Sequence, residues 1–131
     1  MIQKFRVWDK KRKTFRTDIY LDCVGQFFKF SKKTPYGKAI TYTNDKNMEI
    51  SYSTGLKDKC GVEIYEGDII KPLGFASWKG AVRYCDKTGA FILDDHDNDF
   101  IRDENVYLSQ FTDSFEILGN IYENKELLES L

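Results

Sequence analysis

Residues 54–71, TGLKDKCGVEIYEGDIIK, decide how the rest of the chain is read. Thr54-Gly55 and Cys60-Gly61 place glycines where a chain reverses, and VEIY (62–65) alternates between them and Glu66-Gly67. Gly67 admits a tight bend, and the Asp68 carboxylate can accept backbone N–H groups inside it. The bend launches a strand, DIIKPL (68–73), in which Ile69 faces one way and Asp68 and Ile70 the other. One isoleucine therefore belongs in a core and its neighbour under a separate cover. Short strands punctuated this closely build a small barrel or roll, because closure removes exposed strand edges.

Downstream, AVRYCD (81–86), KTG (87–89) and AFILDD (90–95) form a hairpin. It is expected beside the 68–73 strand, in a five- or six-stranded barrel of the SH3-like kind. SFEILGNIY (114–122) is a last strand, with Gly119 at a bulge or a close backbone contact. Asn124 suits the cap of a short helix over KELLESL (125–131), which needs Leu127 or Leu128 packed onto the body to be stable.

Upstream, KFRVWD (4–9) alternates, with Phe5 and Val7 on one face and Lys4, Arg6 and Trp8 on the other. KKRK (10–13) joins it to TFRTDIYLD (14–22), a second strand that completes an N-terminal β-hairpin. QFFKF (26–30) reads as a further strand, and KKTPYGK (32–38) as an exposed loop in a variable stretch. The fold class is thus mainly β: a barrel or roll over 53–123, a hairpin region and variable segment over 1–52, and a helix over 124–131. All of it falls within one domain, 1–131. The covers for the second isoleucine are the hairpin, through Phe5 and Val7, and the helix, through Leu127 and Leu128.

Composition sets the outer limits. With 41% hydrophobic and 31% charged residues, the 131-residue chain is globular, and ten Phe and eight Tyr against two Pro favour strands. No apolar run reaches the roughly 18 residues of a membrane span, and the N-terminus lacks the apolar core of a secretory leader. Cys23, Cys60 and Cys85 are odd in number and form no CxxC, which fits free thiols in a reducing cytoplasm rather than disulfides or zinc.

The net charge of −1 hides an asymmetry: residues 1–40 carry 11 Lys/Arg against 3 Asp/Glu, and the remainder 9 against 18. Such a split serves an electrostatic match within or between molecules, or a basic edge for an acidic partner. Lys10, Lys11, Arg12 and Lys13, flanked by Trp8 and Phe15, put cations beside aromatic rings, the combination used for phosphate contacts and base stacking. The plainer account is a solvated turn that blocks edge pairing. Phe75 and Trp78, in the GFASWKG loop (74–80), serve either as a protein-contact anchor or as a plug for an open barrel end.

DDHDND (94–99) holds the single histidine among aspartates. Asp94, Asp95, His96, Asp97 and Asp99 are the metal-ligand candidates, yet the stretch lacks the glycine and the terminal Glu of an EF-hand loop and reads first as a solvated hairpin end. GLKDKCG (55–61) lacks the Gly-Lys-Ser/Thr ending of a phosphate-binding loop, and no Ser or Cys stands in a nucleophile motif. Catalysis, a cofactor and membrane association are therefore not expected.

KFRVWDKKRKTF (4–15), STGLKDKCGVEIYEGDII (53–70) and FEILGNIYEN (115–124) together resemble the YopX-like proteins of phages and prophages. The resemblance implies a mostly β protein with an SH3-type barrel and a bacteriophage origin, and carries no established activity. One departure is Cys60, where the family pattern has a turn-former such as Asn before the glycine, so the turn is expected to rely on Gly61. On these grounds the chain is expected to be a non-enzymatic accessory protein that binds a protein or itself. Nucleic-acid binding through the basic arm is the alternative, and a metal-dependent hydrolase the remotest.

Overall fold

The computed structural model describes residues 4–31, 39–42, 46–73, 79–94, 107–108 and 114–129. In chain order the strands are β1 (Phe5–Asp9), β2 (Thr14–Arg16), β3 (Tyr20–Leu21), β4 (Phe27–Ser31), β5 (Ala39–Tyr42) and β6 (Met48–Lys57). They continue with β7 (Glu63–Tyr65), β8 (Asp68–Pro72), β9 (Gly80–Cys85), β10 (Ala90–Asp94) and β11 (Phe115–Asn120), and α1 (Glu126–Glu129) closes the series. The chain is mainly β, of the small barrel or roll type, with the expected N-terminal hairpin and short C-terminal helix. It divides into two compact units: Met1–Phe5 with Ser51–Leu131, and Arg6–Ile50.

In the larger unit, the bend before β8 forms as its residues dictate. Gly67 takes φ +85°. The Tyr65 amide donates to Asp68 Oδ2 at 2.8 Å, so the carboxylate closes the turn that opens the strand. Gly67 itself bonds on both sides, its N–H to the Val82 carbonyl and its carbonyl to the Ile121 N–H, each at 2.8 Å. β8 then lies between β9 and β11 in an antiparallel sheet of order β10-β9-β8-β11.

The hairpin therefore lies beside β8 as expected, through β9, while β10 takes the far side of β9 and bridges Tyr107 through Ile92. A tight turn guarantees that β9 and β10 are adjacent, but nothing local says which distant strand takes the other edge of β8. That place goes to β11.

The two isoleucines part as strand alternation requires. Ile70 packs with Ile64, Val82, Leu93, Leu108 and Phe115 in one cluster. Ile69 packs on the opposite face with Ala81 and Leu128, flanked by Ile121 and Leu127, so α1 is its cover. Both are fully buried, and each burial contributes roughly 1.5–3 kcal/mol. Gly119 explains how so short a helix sits so close. The β11–β8 register shifts between Ile117 and Gly119, and a Cβ at 119 would lie 2.6 Å from Asn124 Oδ1 and 2.9 Å from Leu127 Cδ1.

Thr54-Gly55 is not a chain reversal: β6 runs through it as a bulge, with a register shift between Ser53 and Lys57. The local polar groups support the bulge, since Ser53 Oγ accepts the Gly55 N–H at 3.0 Å and Thr54 Oγ1 donates to the Ile64 carbonyl at 2.8 Å. The reversal lies at 58–61, where Asp58 Oδ1 accepts the Cys60 and Val62 amides at 2.9 and 2.8 Å. Gly61 alone supplies the left-handed residue, at φ +83°, so Cys60 is spared it.

In the smaller unit, β1 and β2 form the expected hairpin, with Trp8 opposite Phe15. The stretch 14–22 is not one strand, however. β2 ends at Arg16, whose guanidinium grips Asp18 two residues on, and β3 then pairs with β4 in a separate sheet of order β3-β4-β5. The β3–β4 turn repeats the chemistry of residues 58–62: Asp22 Oδ1 accepts the Val24 and Gln26 amides at 3.0 and 2.8 Å.

Candidate functional site

The β1–β2 turn gathers four of the residues singled out from sequence, Lys10 to Lys13. Asp9, the last residue of β1, organises it. Its Oδ1 accepts the backbone amides of Lys11 and Arg12 at 3.0 and 3.1 Å. Its carbonyl takes the Lys13 N–H at 2.8 Å, and Lys13 closes the turn at φ 54°. That left-handed conformation is strained for a residue with a side chain, so the surrounding bonds must hold it.

Asp9 is held in turn from below. Arg16 Nη1 lies 3.3 Å from Asp9 Oδ2, while its Nε and Nη2 form a fork on Asp18 at 2.8 and 2.6 Å. The Arg16 and Asp9 side chains are only 11% and 8% exposed, whereas that of Asp18 is 54% exposed. The amide of Arg12, more than any other group, holds the Asp9 carboxyl below the usual carboxylate range, and the Arg16 guanidinium does the same for Asp18. Both carboxylates are charged at neutral pH and keep the turn wired.

The cations above this frame differ among themselves. Lys10 pairs with Glu49 at 3.0 Å, and its amide donates to the Asn47 carbonyl at 2.7 Å. Lys11, Arg12 and Lys13 are exposed and make no ion pair with any described residue. The rings beside them are already committed. Trp8 is 7% exposed and meets Phe15 edge-on at 4.9 Å, and the Arg6 guanidinium sits 4.7 Å above the Phe15 ring. The arrangement presents three positive charges on a fixed turn without an exposed indole for a base to stack on.

Charge follows the division into units. Arg6–Ile50 carries 11 Lys/Arg against 5 Asp/Glu, and the other unit 9 against 16. The smaller unit also exposes Tyr20 (48%), Leu21 (37%) and Val24 (74%) around the β3–β4 turn.

Phe75 and Trp78 lie outside the described residues, as do Asp95, His96, Asp97 and Asp99. Asp94, at the end of β10, is described, and its Oδ2 is 3.3 Å from Arg83 Nε. Among the described residues no three His, Cys, Asp or Glu side chains group as a metal site would require. The cysteines are free thiols, with Cys23 and Cys60 exposed and Cys85 half-buried. A hydrogen bond with the Thr88 side chain holds the Cys85 thiol below its usual range. Among the described residues no helix is long and apolar enough to cross a membrane.

Sequence reasoning found the cations and missed what fixes them. The available signal was Asp9 itself, since an Asp directly before a turn accepts the amides two and three residues on. The Arg16-Thr17-Asp18 spacing gives no comparable cue, because the fork forms only where the chain leaves β2.

The YopX protein family matches residues 4–129 of the chain. Protein EF1440 from Enterococcus faecalis is similar in fold and sequence, at 31% identity and a TM-score of 0.58, covering 98% of this chain and 99% of that one. Protein yopX from Bacillus subtilis shares the fold at 17% identity and a TM-score of 0.54, covering 94% and 95% of the two chains. No curated protein matches. A family match across almost the whole length, joined to this fold, makes the chain a member of the YopX family.

Proposed function

We propose that this chain is a phage- or prophage-encoded accessory protein that works in the host cytoplasm, without catalysis, by docking its basic turn onto an acidic protein surface. A second copy of the chain is the first partner to consider. The observation that carries this reading is the turn itself: Lys11, Arg12 and Lys13 have no ion-pair partner among the described residues, on a backbone already fixed by Asp9. Fixed cations bind an anionic surface with less ordering cost than flexible ones. The acidic larger unit, with 16 Asp/Glu, offers another copy a complementary surface.

Exposed Tyr20, Leu21 and Val24 in the basic unit support a protein partner, since carboxylates and apolar side chains occur together on protein surfaces and not on a phosphate backbone. Nucleic acid is the competing reading, because the same three cations suit phosphates. The commitment of Trp8 to Phe15, and of Phe15 to Arg6, disfavours the stacking half of that reading. The non-enzymatic part rests on a single histidine and the absence of a nucleophile motif from the sequence.

Light scattering at low and high salt tests the proposal. Association at about 20 mM salt that dissolves at about 500 mM is expected, because exposed pairs are screened beyond a few ångströms at the higher value. A monomer at both would end the self-association reading, and retention of DNA or RNA at low salt would favour the nucleic-acid one.

A further inference from the structure

We propose that Arg16 and Asp18 are positioning residues for the basic turn: they touch no partner themselves and act through Asp9 to fix how Lys11, Arg12 and Lys13 are displayed. The proposal rests on the basic turn being a binding surface. Its own observations are separate from that reading. Asp9 bonds both turn amides, Lys11 N and Arg12 N, through Oδ1. The other oxygen, Oδ2, is aimed at Arg16 Nη1, so the guanidinium sets the rotation of the carboxylate that shapes the turn. Arg16 is in turn aligned by the two-point fork to Asp18, which a lysine could not reproduce. Lys13 at φ 54° shows that the turn is held against its local preference, so slackening the frame should let it relax.

Charge and positioning predict opposite signs for one substitution. Asp18→Asn removes a negative charge beside the turn, and simple electrostatics predicts tighter binding to an anion. If Asp18 works by aligning Arg16, binding weakens. The side chain of Asp18 is 54% exposed, so the variant is expected to fold.

The experiment compares the parent, Asp18→Asn, Arg16→Gln and a triple reversal of Lys11, Arg12 and Lys13 to Glu. A poly-glutamate peptide is the probe, and amide hydrogen exchange is followed at Lys11, Arg12, Ile69 and Ile70. The expected result is faster exchange at Lys11 and Arg12 in both frame variants, with Ile69 and Ile70 unchanged. Poly-glutamate affinity should fall about three- to tenfold in Asp18→Asn, with an unaltered salt slope because every cation remains. Unchanged exchange at Lys11 and Arg12, or tighter binding by Asp18→Asn, would overturn the positioning role. If the triple reversal leaves poly-glutamate binding intact, the turn is not the binding surface, and exchange in Asp18→Asn still decides whether the frame holds it.

Discussion

Ile69 and Ile70 stand next to each other on β8, are equally buried, and should respond unequally to truncation. Ile70→Ala opens a hole among five other buried side chains on a sheet face. Rigid surroundings collapse little, so a cost in the upper part of the usual range, about 3–5 kcal/mol, is expected. Ile69→Ala opens its hole beneath one turn of helix, with Leu128 and the partly buried Leu127 above it. A four-residue helix can settle inward, which lowers the expected cost to about 2–3 kcal/mol. Leu128→Ala removes the lid from the same site and should cost about 2 kcal/mol alone. Because Leu128 and Ile69 share one cluster, the double variant should lose less than the sum, by about 0.5–1.5 kcal/mol. Urea unfolding of the parent and the four variants, followed by circular dichroism, gives these values from midpoint and slope. Losses for Ile69 and Leu128 that add within about 0.3–0.5 kcal/mol would refute the helix as the cover of Ile69. So would an Ile69→Ala variant less stable than Ile70→Ala.

Three further outcomes follow from particular contacts. Gly119→Ala should lower stability by about 1–3 kcal/mol in the same unfolding assay, because its Cβ must push Asn124 and Leu127 outward; an unchanged midpoint would mean the helix is loosely seated. Asp58→Ala strips the acceptor from two turn amides and should cost about 1–2 kcal/mol, whereas Asp58→Asn, which keeps an acceptor, should cost less. Asp9 has a folded pKa below its ordinary 3.8, so its contribution to stability is complete above that value and is lost as pH falls through the lower folded one. A pH series of unfolding midpoints should therefore drop more steeply on acidification in the parent than in Asp9→Asn, and parallel curves would show that Asp9 is not coupled to folding.

The parts of the fold legible in the sequence are those fixed by a few neighbouring residues. Gly67-Asp68 specifies its own turn, alternation separates Ile69 from Ile70, and Gly119 in a strand announces a bulge or a close approach and turns out to mark both. Errors arise where two local solutions share one signature. A glycine at 55 serves a reversal or a bulge equally well, and the choice went to the bulge because Ser53 and Thr54 satisfy the displaced backbone groups. A break at Thr17 leaves no mark in composition, so 14–22 reads as one strand although its two ends pair in different sheets. The partner of β8 depends on a strand more than forty residues away, which no local pattern encodes. The same division holds for the candidate site: a run of cations is visible as letters, while the Asp9–Arg16–Asp18 frame beneath it exists only once β1 and β2 have paired.

Sedimentation of the parent beside the variant in which Lys11, Arg12 and Lys13 are all reversed to Glu tests most directly whether the turn is what this protein binds with. The three side chains are exposed and unpaired among the described residues, so their reversal should leave the fold and its melting temperature intact. At low salt the parent should sediment as a salt-sensitive oligomer and the variant as a monomer. A variant that associates as the parent does, or a parent that is monomeric at every salt concentration and ignores acidic peptides, would contradict the proposal.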